Sequence, residues 1–211
     1  MDLNIRGRKA VITGGSKGIG RAVADRLAAE GVDVHLVART STTLEAAVSE
    51  LENDYGINAT FSALDLSKST NIDRLFADRS DPIDILVNNA GIAPVVPWSK
   101  VTEENWQRVL DVNLNGAFHC TRAAWDHMRD RQYGRIVNIS SVGAFLGSVS
   151  AHPAYGVSKA GLIALTKSLA KEGAADGILV NAIAPGSIDT PMLESFGPEA
   201  RVEYAEASLL K

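Results

Sequence analysis

The stretch KAVITGGSKGIG, residues 9–20, joins a short apolar segment to a glycine-rich turn and the start of a helix. Lys9 to Thr13 has the composition of a buried strand. Apolar residues then recur at helical spacing from Ile19 to Leu27, and Gly31 ends the pattern. A turn between a strand and a helix directs backbone N–H groups and the positive end of the helix at a phosphate, and its glycines leave room for a pyrophosphate. The stretch therefore predicts a fold that binds a dinucleotide.

The rest of the chain continues the alternation of strands and helices. Further strands are predicted at Val34–Ala38, Ala59–Leu64, Ile83–Asn88, Arg135–Ile139 and Leu179–Ile183. Helices are predicted between them: one opened by a capping box at Thr42 and Glu45, and others at Asn71–Asp78, after Thr102 and from 153 to 174. This order indicates the α/β class, with a doubly wound parallel sheet and helices on both faces. Residues 1–211 are expected to form a single domain.

Several polar or glycine-containing segments follow directly after the predicted strands. Parallel sheets bind ligands beyond the carboxyl ends of their strands. The residues that fall there are Gly14–Gly20, Arg39, Asp65, Asn89, Ser141 and Pro185. We therefore expect one binding site along this edge of the sheet.

The end of the second strand discriminates between two dinucleotides. An acidic residue at this place accepts a hydrogen bond from the adenosine 2'-hydroxyl of NAD, but here Ala38 and Arg39 follow instead. Arg39, together with Lys17 of the glycine turn, can pair with the 2'-phosphate of NADP(H). Either cation alone is more simply a solvated surface charge. Both together, with the acid absent, predict NADP(H).

The segment PAYGVSK, residues 153–159, carries a second chemical signal at the start of a predicted helix. Tyr155 and Lys159 stand four residues apart, so their side chains leave the same face of that helix. A free tyrosine has a pKa of about 10, and a neighbouring ammonium lowers it by stabilising the phenolate. The pair is a candidate acid–base device, although this spacing also arises by chance in many helices.

Composition limits the classes of partner. The chain is 45% hydrophobic and 22% charged with a formal net charge of -4, so neither nucleic acid nor an anionic membrane is an expected partner. The single cysteine, Cys120, cannot form an internal disulfide, and the first residues lack the apolar core of a signal peptide. Both features favour the cytoplasm. The four histidines have no metal-ligand spacing, so no metal site is expected.

Taken together, the motifs resemble those of the short-chain dehydrogenase/reductase family. They are Thr13-Gly14-x-x-x-Gly18-x-Gly20, Asn88-Asn89-Ala90-Gly91, Asn113, Ser141, Tyr155-x-x-x-Lys159 and Pro185-Gly186, in the family's order along nearly the whole chain. The surrounding segments are most similar to those of 3-oxoacyl-[acyl-carrier-protein] reductases. The resemblance implies a Rossmann fold with strand order 3-2-1-4-5-6-7, a nicotinamide cofactor, and hydride transfer between a carbonyl and an alcohol.

The resemblance also implies a role for each matched residue. In reduction, Tyr155 would donate a proton to the carbonyl oxygen while the nicotinamide delivers hydride. Lys159 would lower the tyrosine pKa and hydrogen-bond the nicotinamide ribose. Ser141 would hold the carbonyl oxygen, and Asn113 would bind a water that links Lys159 to solvent. The residues expected to contact the cofactor are Gly14, Ser16, Lys17, Gly18, Ile19, Gly20, Arg39, Asp65, Leu66, Asn89, Ala90, Gly91, Tyr155, Lys159, Pro185, Gly186, Ile188 and Thr190.

The carboxyl-terminal part departs from the family pattern. Family members continue through another helix and a seventh strand, whereas this sequence stops at Lys211. We therefore expect a sheet without its last strand and an incomplete cover over the substrate. Family members usually associate through their two long helices, so a homodimer or homotetramer is expected.

The substrate is the least determined property. Carrier-protein reductases usually present a basic patch, but here Arg129 and Arg131 alternate with Asp126 and Asp130, which would not strongly attract an acidic carrier protein. A 3-oxoacyl thioester therefore stands beside a small ketone, a sugar or a cyclic alcohol as candidate substrates. The expected pocket wall is largely apolar and comprises Ala93, Pro94, Val95, Val142, Gly143, Ala144, Phe145 and Met192.

Two functions without catalysis stay open at this point. The chain would then be a sensor that binds NADPH, or a structural subunit that stabilises an oligomer. The complete set Asn113, Ser141, Tyr155 and Lys159 argues against the sensor, because a sensor has no need of a proton donor. An NADP(H)-dependent oxidoreductase is the leading hypothesis.

Overall fold

The computed structural model describes residues 3–77, 81–147 and 151–197, together with residues 199, 202, 205 and 206. Its strands are β1 (Lys9–Thr13), β2 (Asp33–Ala38), β3 (Ala59–Ala63), β4 (Ile85–Asn88), β5 (Gly134–Ile139) and β6 (Ile178–Ile183). They form one sheet in the order β3-β2-β1-β4-β5-β6, and every pair is parallel. The predicted α/β class and the six predicted strands are confirmed, with boundaries that shift by one or two residues.

The helices follow the alternation that the sequence predicts. They are α1 (Gly18–Ala29), α2 (Ser41–Tyr55), α3 (Ser69–Ala77), α4 (Glu103–Leu110), α5 (Gly116–Asp130), α6 (Gly143–Leu146), α7 (Pro153–Glu172) and α8 (Pro191–Glu194). Pro153 occupies the first turn of α7, where its missing N–H costs nothing. None of the helices in the described ranges is long and apolar enough to cross a membrane.

Apolar side chains cover both faces of the sheet. On one face, α1 and α2 contribute the buried residues Ala24, Ala28, Leu44, Ala47 and Leu51. On the other face, α3 and α5 contribute Ile72, Leu75, Phe76, Cys120, Ala124 and Met128. Central strands pack on both sides, as in β1, where only Lys9 is not fully buried. Helices on both faces of the sheet are thus confirmed.

Two details of the helices differ from the sequence prediction. The capping box predicted at Thr42 and Glu45 is wrong, since α2 begins at Ser41 and its N-cap, Thr40, makes no side-chain capping bond. The chain leaves β2 at Ala38 and turns at once into the helix, so Thr42 already lies inside the first turn. The long helix after Thr102 is also interrupted, because residues Asp111–Asn115 form a π-helical turn between α4 and α5.

The outer edge of the sheet lies at β6. Within the described residues no further strand pairs with it. Leu179 and Ile183 of β6 are 50% and 53% exposed, whereas Ile178 and Val180 are buried. One face of this strand is therefore packed and the other is open.

Candidate active site

The glycine-rich turn lies at the carboxyl end of β1 and leads directly into α1. Gly14 and Gly18 adopt positive φ angles of 65° and 58°, which a residue with a Cβ rarely adopts. Lys17 is the N-cap of α1 and makes no side-chain capping bond, so the N–H groups of the first helical turn are left for an anion. The turn therefore has the geometry of a phosphate site.

The segment after β4 braces this turn from the side. Asn89 Nδ2 donates to the carbonyl oxygens of Thr13 and Gly14 at 3.0 and 3.1 Å. In return, Thr13 Oγ1 accepts the backbone N–H groups of Asn89 and Ala90 at 2.9 and 3.0 Å. These bonds join the carboxyl ends of the neighbouring strands β1 and β4, so contacts within the chain fix the position of the glycine turn.

A cavity of about 270 Å³, which we call the glycine-turn cavity, opens beside α1. The predicted cofactor residues that line it are Gly14, Ser16, Lys17, Gly18, Ile19, Arg39, Asp65, Leu66, Asn89, Ala90, Gly91 and Thr190. The Asp65 carboxylate accepts the backbone N–H of Ser67 at 3.0 Å, which holds its pKa below the ordinary value. Asp65 is therefore a hydrogen-bond acceptor at neutral pH.

Sequence reasoning missed several residues of this cavity. Thr40 and Thr43 line it at the start of α2, beside Arg39. Ile92 and Val112 line it as well, although they are distant in sequence. The hydroxyl-rich run RTSTT, residues 39–43, is a signal from which the first two could have been predicted, because a cation followed by hydroxyls at a helix start suits a phosphate.

Gly20 was predicted to contact the cofactor, but it lines neither of the cavities found at this edge. A Cβ at this position would collide with the Gly14 carbonyl oxygen and lie 2.5 Å from Asn89 Nδ2. Gly20 thus permits α1 to pack closely against the turn. Gly20 therefore acts on a bound ligand indirectly, because the close packing of α1 determines the shape of the turn.

A second cavity of about 580 Å³, which we call the tyrosine cavity, adjoins the first. It contains the remaining predicted residues Ser141, Tyr155, Lys159, Pro185, Gly186 and Ile188, and it shares Ile19, Asn89, Gly91, Thr190 and Met192 with the glycine-turn cavity. The two cavities therefore form one crevice along the carboxyl edge of the sheet. Tyr155 and the glycine turn, which are 135 positions apart or more in sequence, meet in it.

The wall of the tyrosine cavity differs in part from the prediction. Val142, Gly143 and Met192 line it as predicted. Ala93, Pro94, Val95, Ala144 and Phe145 are not among its lining residues. The structure instead supplies apolar groups that sequence reasoning missed, namely Leu146, Ala151, Leu193 and Phe196. These residues lie on short segments whose orientation depends on the whole fold, so no local pattern indicates them.

The Tyr155–Lys159 pair stands on the first turns of α7. Lys159 is only 4% exposed, and its Nζ donates to the carbonyl oxygen of Ile139 at 2.7 Å. Burial lowers the pKa of the Lys159 ammonium to about 8, because the charged form loses its hydration. The Nζ atom lies 5.8 Å from the centre of the Tyr155 ring. A positive charge is thus held next to the phenol at neutral pH.

Ser141 and Asn113 complete the candidate catalytic set. Ser141 lines the tyrosine cavity, and its Oγ accepts the backbone N–H of Gly143 at 3.1 Å. Asn113 is buried in the π-helical turn, where its Oδ1 accepts the N–H of Ile92 at 2.8 Å and its Nδ2 donates to Ser158 Oγ at 3.2 Å. Asn113 does not line the tyrosine cavity.

Asn113 and Lys159 both approach Gly91. A Cβ built on Gly91 would lie 3.5 Å from both Asn113 Oδ1 and Lys159 Nζ, so the two polar groups lie close to the same glycine. π-helical turns are rare and occur often at functional sites. The position of Asn113 is therefore consistent with a supporting role behind Lys159.

The buried histidines bond to neighbouring side chains. His35 Nδ1 and Nε2 lie 2.8 and 3.0 Å from the hydroxyls of Thr60 and Ser62, and His152 Nε2 lies 2.8 Å from Asn105 Oδ1. Within the part of the chain that the structure describes, no three His, Cys, Asp or Glu side chains come together as a metal site would require. The expectation of a metal-free protein stays a prediction.

Comparison with known proteins identifies relatives over almost the full chain. A 3-oxoacyl-[acyl-carrier-protein] reductase of Aquifex aeolicus is 40% identical over 209 residues, which cover 98% of this chain and 84% of that protein. A 2-dehydro-3-deoxy-D-gluconate 5-dehydrogenase of Bacillus subtilis is 44% identical over 191 residues, covering 89% and 73% respectively. Among solved structures, the L-sorbose reductase of Gluconobacter frateurii in complex with NADPH and L-sorbose superposes with a TM-score of 0.87 at 36% identity, covering 90% of this chain and 73% of that one.

The family comparison agrees with these relatives and with the crevice. The model of the short chain dehydrogenase family matches residues 8–201, a span that contains both the glycine turn and the Tyr155–Lys159 pair. The relatives named above are reductases and dehydrogenases. The chain therefore belongs to the short chain dehydrogenase family and is an oxidoreductase.

Proposed function

We propose that this protein is an NADP(H)-dependent enzyme that transfers hydride between the nicotinamide and a carbonyl or secondary alcohol, and that residues 1–211 act as one catalytic domain. One observation carries the proposal. Ser141, Tyr155 and Lys159 line a cavity that is continuous with the cavity of the glycine turn. A dinucleotide that lies along the crevice would therefore have its phosphates at the turn and its reactive ring beside the tyrosine.

The preference for NADP(H) rests on the groups at the start of α2. Arg39, Thr40 and Thr43 line the glycine-turn cavity there, together with Lys17. The first turn of α2 has no acidic residue and its N-cap makes no side-chain bond, so the backbone N–H groups also favour an anion. The L-sorbose reductase was solved with NADPH. These features suit a 2'-phosphate.

In the proposed mechanism the bound nicotinamide supplies hydride for reduction or accepts it in oxidation. Tyr155 donates a proton to the carbonyl oxygen in reduction and removes it in oxidation. Ser141 holds the same oxygen by donating a hydrogen bond. Its Oγ uses a lone pair to accept the N–H of Gly143, so its own hydrogen can point at the substrate.

Lys159 contributes charge to this mechanism. One of its N–H groups is used on the Ile139 carbonyl oxygen, and the ammonium retains further donors for a ribose hydroxyl and for water. Its positive charge stabilises the Tyr155 phenolate and so lowers the pKa of the proton donor. Asn113 supports Lys159 through a water that joins the two groups beside Gly91.

The substrate that fits best is an uncharged carbonyl with an apolar flank. Lys159 is the only charged residue among the described residues that line the tyrosine cavity, and it is buried. Apart from buried Lys159, these described residues therefore offer no cation to a carboxylate or phosphate of the substrate. A 3-oxoacyl thioester meets this description and matches the name of the Aquifex relative. A small apolar ketone or a cyclic alcohol is the alternative.

Delivery by an acidic carrier protein is less well supported. Arg129 already pairs with Asp126 at 2.9 Å, and Arg131 pairs with Asp84 at 2.9 Å. These cations at the end of α5 are thus largely neutralised within the chain. We therefore favour a free thioester over a carrier-bound one.

The experiment that tests the function follows NADPH consumption by absorbance with pairs of ketones. Ethyl acetoacetate and acetoacetate share the same ketone and differ by one negative charge, and acetoacetyl-coenzyme A and L-sorbose extend the panel. Turnover of the thioester and the ester above acetoacetate and L-sorbose is expected. Tight NADPH binding without turnover of any compound would reject the proposed enzymatic function and favour a sensor or a structural subunit.

We also propose that the protein forms a homodimer or homotetramer in the cytoplasm. Phe118 on α5 is 41% exposed and Val157 on α7 is 50% exposed, which leaves apolar surface on the two long helices. The single cysteine, Cys120, is buried, so the fold does not depend on an oxidising compartment. Light scattering should give a multiple of the 22.4 kDa chain mass, and Phe118→Asp should reduce it. A monomeric wild-type protein would reject this part of the proposal.

A further inference from the structure

His152 is a completely buried imidazole at the junction between the candidate proton donor and the rest of the site. It immediately precedes α7, three residues before Tyr155, and its exposure is 0%. None of the roles proposed above uses it. A buried imidazole needs partners for both ring nitrogens, and the structure provides both.

The two ring nitrogens bond to different elements. Nδ1 accepts the backbone N–H of Ala154 at 3.0 Å, so the side chain caps α7. Nε2 lies 2.8 Å from Oδ1 of Asn105 in the first turn of α4. The imidazole therefore spans the gap between the amino-terminal turns of α4 and α7.

The surrounding bonds determine the tautomer of His152. A backbone N–H can only donate, so Nδ1 must be unprotonated. The orientation of Asn105 is also determined, because its Oδ1 accepts the N–H of Thr102 at 2.9 Å and its Nδ2 donates to the Lys100 carbonyl oxygen at 3.1 Å. Nε2 therefore carries the hydrogen and donates it to Asn105. Burial lowers the pKa of His152, which favours this neutral form.

The backbone of His152 adds a third connection. Its N–H donates to the carbonyl oxygen of Pro94 at 2.7 Å, and its own carbonyl oxygen accepts the N–H of Tyr155 at 2.8 Å. Pro94 lies on the segment that follows Gly91, and Gly91 faces both cavities. The residue thus ties the loop after β4, the start of α4 and the first turn of α7 to one another.

We propose that His152 is a positioning residue for the reaction. Its Nε2–H···Oδ1 bond to Asn105 anchors the first turn of α7 against α4, and this anchor sets the position of the Tyr155 hydroxyl relative to the Gly91 segment. The inference rests on the proposed function, because it assigns His152 to the placement of Tyr155. The cap at Ala154 stabilises the helix, whereas the bond to Asn105 aligns it.

A pair of variants separates these two bonds. His152→Asn places its Oδ1 close to the position of Nδ1 and retains the cap, since asparagine is a favoured N-cap, but it is too short to reach Asn105. His152→Gln places its Nε2 close to the position of the imidazole Nε2 and retains the bond to Asn105, but it has no acceptor for Ala154. His127→Ala on the exposed surface of α5 is the control for the loss of an imidazole.

Turnover is expected to follow the bond to Asn105. His152→Asn should lower kcat by about 10- to 100-fold, as small displacements of a reacting group do, while NADPH binding stays as in the wild type. His152→Gln should keep most of kcat even where its melting temperature is lower. A loss of kcat that is larger in the Gln variant, or equal in both variants, would overturn the proposal.

Hydrogen exchange provides a readout that does not require turnover. Amides in residues 100–106 should exchange faster in His152→Asn than in His152→Gln, because only the first variant releases α4 from α7, whereas the lost cap of the second acts on α7 alone. The reverse order, or equal exchange, would overturn the inference. Absence of turnover in the wild type would instead reject the proposed function, and the exchange comparison would still decide the role of His152 as an anchor.

Discussion

The two cavities of the crevice are built in different ways. The glycine-turn cavity is lined by three glycines, by hydroxyl-bearing residues such as Ser16 and Thr43 and by the charged residues Lys17, Arg39 and Asp65, beside apolar side chains. The tyrosine cavity is about twice as large, and its wall consists mainly of apolar side chains around Tyr155, Ser141 and Lys159. The first is suited to a part of the ligand that many enzymes share, and the second to the part in which substrates differ.

The difference shows how one chain can combine a cofactor site that depends mainly on backbone geometry with a substrate pocket that depends on particular side chains. Backbone N–H groups at a helix start bind phosphate without the help of particular side chains, so the glycine-turn cavity depends on close packing. The tyrosine cavity combines Tyr155, the proposed proton donor, with a buried charge and apolar surface. Damage to the first should weaken cofactor binding, whereas damage to the second should abolish turnover and spare binding.

Tyr155→Phe should show most clearly that turnover and cofactor binding depend on different cavities. The variant removes the proton donor and keeps the ring, so kcat should fall about 10³-fold, within the usual range for a general acid. NADPH affinity should stay as in the wild type, because the glycine-turn cavity is unchanged. Steady-state kinetics and a fluorescence titration with NADPH measure the two effects.

Tyr55→Phe is the matched control, since Tyr55 is 38% exposed at the end of α2. It should leave both quantities unchanged. Substantial turnover in Tyr155→Phe would show that another group supplies the proton.

Gly20→Ala should distort the glycine-turn cavity although Gly20 is not one of the residues that line it. The new methyl group would collide with the Gly14 carbonyl oxygen and lie 2.5 Å from Asn89 Nδ2, and the backbone cannot move away without opening the turn. Overpacking of this kind costs about 1–3 kcal/mol. The melting temperature and the NADPH affinity should both decrease.

Gly186→Ala provides the comparison for stability. In the described part of the chain, no atom beyond its two chain neighbours lies within 4 Å of a Cβ built at Gly186, so the melting temperature of Gly186→Ala should equal that of the wild type. If Gly20→Ala bound NADPH and melted as the wild type does, the close packing of α1 on the turn would be irrelevant to the site.

Lys159 should make stability depend on pH. Its pKa is lowered by burial to about 8 in the folded chain, against an ordinary value of 10.5. Between these two values the unfolded chain binds more protons, so the free energy of unfolding should rise with pH, by about 3 kcal/mol in total. At neutral pH the folded protein carries the full cost of burying the charge.

The measurement compares melting temperatures of the wild type and Lys159→Met from pH 7.5 to about 10.5, the ordinary pKa of lysine. The variant lacks the titrating group and should lack this rise, and it should also lose turnover. An equal pH dependence in both proteins would mean that Lys159 is hydrated and that the tyrosine cavity contains no desolvated charge.

Arg39→Ala should produce the smallest of these effects, and the effect should be confined to the binding of NADPH as opposed to NADH. Arg39 is exposed at the rim of the glycine-turn cavity, and loss of one charge-assisted bond should weaken NADPH binding by about tenfold. NADH binding should not weaken, because NADH has no 2'-phosphate. Titrations of the variant with both dinucleotides measure the difference.

Arg26→Ala controls for the loss of a surface cation, since Arg26 lies in the last turn of α1, away from both cavities. A loss of affinity for NADPH and NADH alike in Arg39→Ala would contradict the assignment of this residue to the 2'-phosphate.

Much of the glycine-turn cavity could be predicted from the sequence, whereas less of the tyrosine cavity could. The residues Gly14–Ile19 occupy adjacent positions, and a strand, a turn and a helix determine their geometry locally. Leu146 and Ala151 instead reach the tyrosine cavity from one stretch of the chain, and Leu193 and Phe196 from another about 40 positions later. Apolar residues on short segments carry no period that distinguishes a pocket wall from ordinary core.

The role that we propose for His152 shows the same limit. In the sequence it is an isolated histidine before a proline, with nothing to indicate a partner 47 positions earlier. The π-helical turn around Asn113 could not be predicted either, because the flanking residues favour a continuous helix.

Local patterns were sufficient for the order of strands and helices and for the parallel sheet, and the sequence motifs singled out Tyr155 and Lys159 as the candidate reactive pair. Such features depend on neighbouring residues and on the few ways in which strand–helix units can pack. The folded chain was needed to reveal the joined cavities, the burial that lowers the Lys159 pKa, and the bond from His152 to Asn105. Burial and contacts between distant segments arise only when the whole sheet and its helices have assembled, and desolvation acts on a group only once it is enclosed.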